Sequence, residues 1–300
     1  MARITDYLKP GELASIKNLQ LLAKQVVEGS ISGIHRSPYK GVSIEFAQHR
    51  DYVHGDEIRR VDWKVFAKSD RFYVREYEEE TNLRATILLD SSGSMGYGGE
   101  GRLTKHEYAV RLAAALAYLL LRQSDSVGMI SFDTGVRNFI PPRSNEGHLR
   151  RMLEAMVDSK PGGETSLGRA FHSLVPRIKR RGLVMIFSDG FGDTTELMKS
   201  LAHFQSARHE MVFFHILDPD EEEFPFRDWA RFESMEVPGQ FRKVDPLSFR
   251  ATYLENYRRF ESELQRGCRQ NRVELVKMRT NEPFDKALAS YMARRNSVKA

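Results

Sequence analysis

Two hydrophobic periodicities alternate along the larger, C-terminal part of the chain. Short unbroken apolar runs, typical of buried parallel strands, are separated by longer segments with apolar residues at helical spacing. This alternation predicts a mostly parallel sheet flanked by helices, with right-handed crossovers. Strands are predicted at residues 83–89, 127–132, 183–188, 211–217 and 273–278, and helices at 105–122, 146–157, 166–179, 194–207, 253–271 and 284–295.

Prolines modify two of these elements. A short antiparallel strand is predicted at 137–140, ending before Pro141 and Pro142. Pro176 is expected to shorten or kink the helix that contains it, because proline removes a helical hydrogen bond.

The first part of the chain has a different pattern. It predicts an amphipathic helix at 12–28, a loop rich in glycine, serine and proline at 29–41, and a strand at 72–77. Without a proline- or glycine-rich linker before residue 83, we expect residues 1–82 to form an N-terminal segment packed on a core built from 83–300. Residues 219–246, which contain several aromatic side chains, are expected to form an inserted lobe.

Composition narrows the class of protein. Forty-six Lys and Arg residues against 41 Asp and Glu residues give a net charge of +5, and the basic residues are dispersed, which does not favour a nucleic-acid partner. The single cysteine, Cys268, excludes an intrachain disulfide and fits a reducing compartment. We see no signal-peptide pattern and no apolar stretch long enough for a membrane span. A cytoplasmic protein is therefore expected.

The turn after the first strand of the alternating region carries the candidate chemistry. Residues 90–95 read Asp-Ser-Ser-Gly-Ser-Met, which places one carboxylate and two hydroxyls on one tight turn. Such hard oxygen donors suit Mg²⁺ or Mn²⁺. Two later segments, 162–165 and 185–190, could complete the shell, because ligands of open α/β sheets bind at the carboxyl ends of the strands. The candidate metal ligands are Asp90, Ser92, Ser94, Thr165 and Asp189.

Taken singly, these residues have ordinary structural explanations. Asp90 can cap its own turn, Thr165 can be the N-cap of the next helix, and Asp189 can end a strand. Their order and their placement in one alternating region favour a shared metal site.

The spacing Asp90-x-Ser92-x-Ser94, followed by Thr165 and Asp189, resembles the metal-ion-dependent adhesion site of von Willebrand factor A domains. Residues 125–132 and 163–170 resemble the second strand and the threonine loop of that fold. Residues further upstream resemble the signature of a bacterial family catalogued as domain of unknown function 58, whose members often accompany MoxR-type AAA+ ATPases. These residues are 37–41, 45–46, Arg50, Tyr52, 55–56, Arg59 and 62–64.

The resemblance implies a Rossmann-like von Willebrand factor A fold and a division of roles. Ser92 and Ser94 are expected to bind the ion directly, and Thr165 directly or through water. Asp90 and Asp189 are expected to act through bound waters. The remaining position would take an acidic residue of a partner protein. The implied function is a non-enzymatic, divalent-metal-dependent protein–protein interaction module that works with a MoxR-type AAA+ ATPase in the assembly or maturation of a protein complex.

A metal-dependent phosphohydrolase is the alternative. The sequence argues against it, because no second carboxylate stands two residues after Asp90 and the nearest histidine, His106, lies on a predicted helix. No Walker-type phosphate loop is present.

The upstream signature has two interpretations. It could form a second docking surface, or it could be an ion-pair and turn network that stabilises the N-terminal segment, which we favour. The residues concerned are Arg50, Asp56, Arg59, Asp62 and Trp63.

Overall fold

The computed structural model describes residues 44–53, 56, 61–79, 83–163, 167–178, 180–237 and 239–283. They belong to two compact units, and the boundary between the units in the sequence is between Asn82 and Leu83. The predicted helices at 12–28 and 284–295 lie outside the described residues, and so does the loop at 29–41. That the first segment packs on the core stays a prediction.

The smaller unit contains a two-stranded antiparallel sheet. Strand β1 (Ile44–Asp51) pairs with β2 (Tyr73–Glu79), and helix α1 (Trp63–Ser69) lies between them in sequence. Only β2 was predicted. Strand β1 carries a register shift between Phe46 and Gln48, and such a bulge breaks the period-two pattern by which a strand is recognised.

The larger unit is built on a six-stranded sheet in the order β10-β7-β6-β3-β4-β5. All neighbours are parallel except β4 and β5, which are antiparallel. The predicted mostly parallel α/β sheet is therefore confirmed. The strands are β3 (Arg84–Asp90), β4 (Ser126–Phe132), β5 (Val136–Arg143), β6 (Leu183–Ser188), β7 (Glu210–Leu217) and β10 (Val273–Arg279).

Strand β5 is longer than predicted and continues through Pro141 and Pro142 to Arg143. The expectation that it would end before the prolines was wrong because β5 is an edge strand, where a missing N–H on the open side removes no ladder hydrogen bond.

Helices cover both faces of the sheet. They are α2 (Lys105–Arg122), α3 (Glu146–Asp158), α4 (Leu167–Leu174), α5 (Thr194–Ser206), α6 (Pro219–Glu223) and α7 (Pro246–Gln270). Helix α4 ends at Leu174 and passes into a 3₁₀ turn containing Pro176, so proline shortens this helix. Helix α7 begins at Pro246, well before the predicted 253, because Asp245 caps it and proline suits the first helical position.

The core consists of two apolar layers, one on each face of the sheet. Along β3, Ile87 and Leu89 belong to one layer and Leu88 to the other, and all three are fully buried. This continuous burial explains the unbroken apolar run. It also holds the strand in place, so that Asp90 lies at the carboxyl end of the sheet.

The predicted insertion at 219–246 contains α6 and an antiparallel pair, β8 (Ala230–Glu233) and β9 (Phe241–Val244). We call β8, β9 and the loop joining them the hairpin. In the described part of the chain, no helix combines the length and the apolar character needed to cross a membrane.

Candidate metal centre

The candidate site lies where the strand order of the sheet reverses. From β3, the chain proceeds to β4 and β5 on one side, then returns to β6 and β7 on the other. The carboxyl ends of β3 and β6 are therefore neighbours at a topological switch point, the usual ligand position in open α/β sheets. Asp90 is the last residue of β3, and Asp189 directly follows β6.

Residues Asp90–Gly96, which we call the metal turn, bring two hydroxyls together. The Oγ atoms of Ser92 and Ser94 are 3.2 Å apart. Asp90 fixes the turn through Oδ1, which accepts a hydrogen bond of 2.9 Å from the Ser92 N–H. The Ser91 side chain points elsewhere, since its Oγ is 2.5 Å from that of Ser159. Ser92 and Ser94 therefore share a site, as the spacing Asp90-x-Ser92-x-Ser94 indicates.

Strand β6 binds the metal turn through Ser188, whose hydroxyl donates to Asp90 Oδ2 at 2.6 Å and accepts from the Gly190 N–H at 2.9 Å. Ser94 in turn forms a side-chain hydrogen bond with Asp189. The structure thus brings together Asp90, Ser92, Ser94 and Asp189. Thr165 lies outside the described residues, and its role stays a prediction.

The described start of the threonine loop is held against the metal turn. The Gly93 N–H donates to the Gly163 carbonyl at 3.0 Å, and the Gly162 N–H donates to the Ser91 carbonyl at 3.1 Å. Arg137 donates to the carbonyls of Lys160 and Gly162. These contacts fix the chain immediately before the segment that contains Thr165.

A buried lysine, which we did not predict, is part of the site. Lys105 Nζ donates to Asp189 Oδ2 at 2.7 Å and to Glu221 Oε1 at 2.5 Å, and its side chain is fully buried. The ring of Phe191 lies 4.9 Å from the ammonium. Burial alone would lower the pKa of Lys105, but the two carboxylates outweigh this and raise it, so the lysine is a cation.

Helical phase could have revealed Lys105. It lies at the start of α2 on the face shared with Tyr108, Ala109 and Leu112, all of which are buried. A lysine on the apolar face of a helix needs a buried acidic partner. The partner Glu221 could not be identified from local pattern, because it comes from α6, far along the chain.

The charges at the site are unbalanced. Burial, followed by the negative charge of Asp189, raises the pKa of Asp90 to about 7. At Asp189 burial also favours the protonated form, but the Lys105 ammonium outweighs it and the net pKa is lowered. Burial likewise raises the pKa of Glu221 to about 6. Two carboxyl groups, those of Asp189 and Glu221, thus contact the ammonium, and Asp90 adds a third acidic group beside Asp189, so a further cation is electrostatically favoured.

The donor set fits a divalent ion. Among the described residues no group of three or more His, Cys, Asp or Glu side chains is arranged to hold a metal, so an ion at the metal turn would depend on hydroxyl ligands as well as carboxylates. Oxygen donors of this kind suit Mg²⁺ or Mn²⁺. Ser92, Ser94, Asp90 and Asp189 would hold such an ion, which would supply an electrophilic binding position for an anionic group.

The nearby histidines serve the backbone. Nδ1 of His106 lies 3.2 Å from the main-chain carbonyl of Asp90, and burial lowers the pKa of this histidine. Nε2 of His215 lies 2.8 Å from the Asp189 carbonyl. These contacts fix the ends of β3 and β6. They are not the base-to-hydroxyl contacts that activate a serine nucleophile.

Two of the upstream signature residues act on their local backbone. Asp62 caps α1 by accepting from the N–H groups of Lys64 and Val65, and Asp56 accepts from the Val53 N–H at 2.9 Å. Trp63 is about half exposed and packs edge-on against Phe66. Arg59 and the side chain of Arg50 lie outside the described part of the chain.

The fold and the site together define an α/β domain with an oxygen-lined centre at its switch point. Residues 48–263 match the family model described as "Protein of unknown function DUF58". The chain therefore belongs to that family, as the resemblance predicted.

Proteins similar to this chain include uncharacterized proteins from mycobacteria. Rv1480 of Mycobacterium tuberculosis and Mb1516 of Mycobacterium bovis are each 28% identical over 225 residues, covering 73% of this chain and 69% of theirs. The uncharacterized protein YeaD of Bacillus subtilis is 21% identical over 168 residues, covering 55% of this chain and 39% of its own.

Two solved structures are also similar to this chain. BatB from Bacteroides thetaiotaomicron matches with a TM-score of 0.46 and 19% identity, covering 71% of this chain and 99% of BatB. The von Willebrand A domain of SpRpn10 matches with a TM-score of 0.37 and 10% identity, covering 69% of this chain and 94% of that domain.

Proposed function

We propose that this protein is a non-enzymatic interaction module that binds an acidic residue of a partner protein through a divalent ion at the metal turn. The observation that carries the proposal is the convergence of Ser92, Ser94, Asp90 and Asp189 at the switch point, with the two hydroxyls 3.2 Å apart. Thr165 is proposed to complete the set.

Hydroxyl ligands explain why such a site would bind a carboxylate. A serine hydroxyl is neutral, so an ion held largely by hydroxyls and water keeps much of its positive charge. The Lys105 ammonium lies 2.7 Å from Asp189 and offsets part of its negative charge. Asp189 therefore neutralises less of the positive charge of the ion. An incoming Asp or Glu would supply the missing negative charge.

The proposed partner is a MoxR-type AAA+ ATPase, a client of that ATPase, or another subunit of a complex that it assembles or matures. This part rests on the frequent association of the family with such ATPases. The protein is proposed to act in the cytoplasm.

The test is a binding measurement with a defined partner. A MoxR-type ATPase encoded in the same genome is immobilised, and the full chain is passed over it in Mg²⁺ and in EDTA. We expect binding that requires Mg²⁺ and is lost in Asp90→Ala but kept in Ser91→Ala, whose hydroxyl faces Ser159. Binding that is the same in EDTA would contradict metal dependence. Turnover of a generic phosphoester that Asp90→Ala abolishes would favour the phosphohydrolase alternative.

A further inference from the structure

The hairpin lies directly on the metal turn. A Cβ atom placed on Gly93 would be 2.1 Å from the carbonyl oxygen of Met235, in the loop between β8 and β9. The Met235 side chain also reaches the turn, since a Cβ on Gly96 would lie 3.2 Å from its Cε. Glycine at position 93 therefore permits a close approach of two backbones, and the hairpin forms one wall beside Ser94.

A cavity of about 600 Å³ lies between the hairpin and the metal turn, and Ser94 is on its wall. This volume is typical of ligand sites in proteins. Half of the remaining lining residues are aromatic. Phe224 stacks on Phe232 with ring centroids 5.9 Å apart and packs against Tyr253 at 4.5 Å. These rings support one another around the cavity, which we call the hairpin pocket.

The charged groups on this wall are three acidic side chains and one arginine. Asp220 is paired with Arg102 at 2.6 Å and accepts from the Tyr97 hydroxyl, and Glu221 is paired with Lys105. Glu236 also has an interaction partner. By contrast, the structure gives Arg242 no carboxylate partner among the described residues.

Exposed apolar side chains concentrate on the same lobe. Trp229 is 77% exposed, Phe241 48% and Met235 44%. Clustered apolar side chains on a surface are typical of protein interaction sites. Of these three, Met235 also lies on the wall of the hairpin pocket, against the metal turn. A polypeptide is therefore the favoured occupant, because a segment bound across Met235 would reach both the metal turn and the cavity.

We infer that the hairpin pocket receives a large apolar side chain from the same partner segment whose acidic residue approaches the metal turn. The inference rests on the proposed function and adds a specificity determinant to it. An acidic residue alone is common on protein surfaces and selects few partners. An aromatic or large aliphatic neighbour buried in an aromatic-lined pocket would act as the anchor that dominates binding at many interfaces.

The probe is a displayed library of short random peptides, selected on the full chain in Mg²⁺. We expect the selected peptides to carry an Asp or Glu with a large apolar residue close to it. One selected peptide is then labelled, and its affinity is measured by fluorescence polarisation. Replacing either its acidic residue by the amide or its apolar residue by alanine should weaken binding at least about tenfold.

Variants of the protein locate the two contacts. Val244→Trp fills the hairpin pocket, whereas Leu247→Trp adds the same side chain at a position 60% exposed and outside the pocket wall. We expect binding to fall at least about tenfold in Val244→Trp and to be unchanged in Leu247→Trp. Arg242→Glu, on the exposed strand β9, should also weaken binding, and it protects the test against misfolding of Val244→Trp.

The outcomes separate the two claims. Acid-dependent binding that is lost in Asp90→Ala but unchanged in Val244→Trp and Arg242→Glu overturns the hairpin pocket and leaves the proposed function intact. Binding that persists in EDTA and in Asp90→Ala overturns the proposed function and the inference with it. A selection that enriches no acidic and apolar pair also overturns the inference.

Discussion

Asp125→Asn should stabilise the protein at neutral pH. Asp125 precedes β4 and is 1% exposed; its Oδ1 accepts from the Leu83 N–H at 2.8 Å, at the start of β3. Its Oδ2 is buried without a hydrogen-bond partner among the described residues. Burial raises the pKa of this carboxyl from its ordinary value of 3.8 to about 7. Asparagine keeps the acceptor for Leu83 and removes the buried charge.

The sign follows from proton binding. Between pH 4 and pH 7 the folded protein holds a proton on Asp125 that the unfolded chain has lost, so the free energy of unfolding falls as pH rises. A shift from 3.8 to about 7 corresponds to a penalty of about 4 kcal/mol once the pH exceeds 7. Roughly 2–3 kcal/mol of this develops between pH 5 and pH 8.

The assay is chemical unfolding in EDTA at pH 5 and pH 8. Protonated aspartate and asparagine have nearly the same shape and both keep the acceptor for Leu83, so the gap in stability between the two proteins should narrow at acid pH. At pH 8 Asp125→Asn should be the more stable by up to about 4 kcal/mol. Asp158→Asn, an exposed site at the end of α3, is the control and should show little change. A gap between wild type and Asp125→Asn that does not widen with pH would show that Asp125 is not a buried carboxyl with a raised pKa.

Two further substitutions test the surroundings of the metal turn. Lys105→Met should destabilise the protein by about 3–5 kcal/mol in EDTA, because it leaves two buried carboxylates without their cation. Mg²⁺ should restore more stability to this variant than to wild type. An equal Mg²⁺ response of the two proteins in a melting experiment would contradict this electrostatic effect. Gly93→Ala should lower the melting temperature and weaken the Mg²⁺ response, because its Cβ would meet the Met235 carbonyl oxygen at 2.1 Å. The control is Gly147→Ala, whose Cβ would meet nothing within 4 Å. Equal behaviour of the two variants would rule out the close approach of Gly93 to Met235.

The sheet could be predicted because its strands are buried on both faces. Strand β6 is apolar along nearly its whole length and buried throughout, so its bounds were predicted correctly. The same burial explains why Asp90 and Asp189 could be identified. An acidic residue that ends such an apolar run must lie at the carboxyl end of its strand, outside the core. Parallel pairing then determines which strand ends become neighbours.

Other elements could not be predicted because their determinants are not local. Strands β8 and β9 are short and about half exposed, so neither carries a strong apolar pattern. The contact of Met235 with Gly93 joins segments far apart in the chain. The ion pair of Lys105 with Glu221 does the same, so the tertiary fold alone determines it.

Manganese binding shows whether the metal turn holds a divalent ion. Mn²⁺ is titrated into the full chain and followed by electron paramagnetic resonance, with Ser92→Ala, Ser94→Ala and Asp90→Ala as site variants. Ser91→Ala, in the same turn but hydrogen-bonded to Ser159, is the matched control. We expect one saturable site in wild type and Ser91→Ala that is weakened or lost in the three site variants. Saturable binding that survives in all of them, or that Ser91→Ala weakens equally, would contradict a metal centre at this turn.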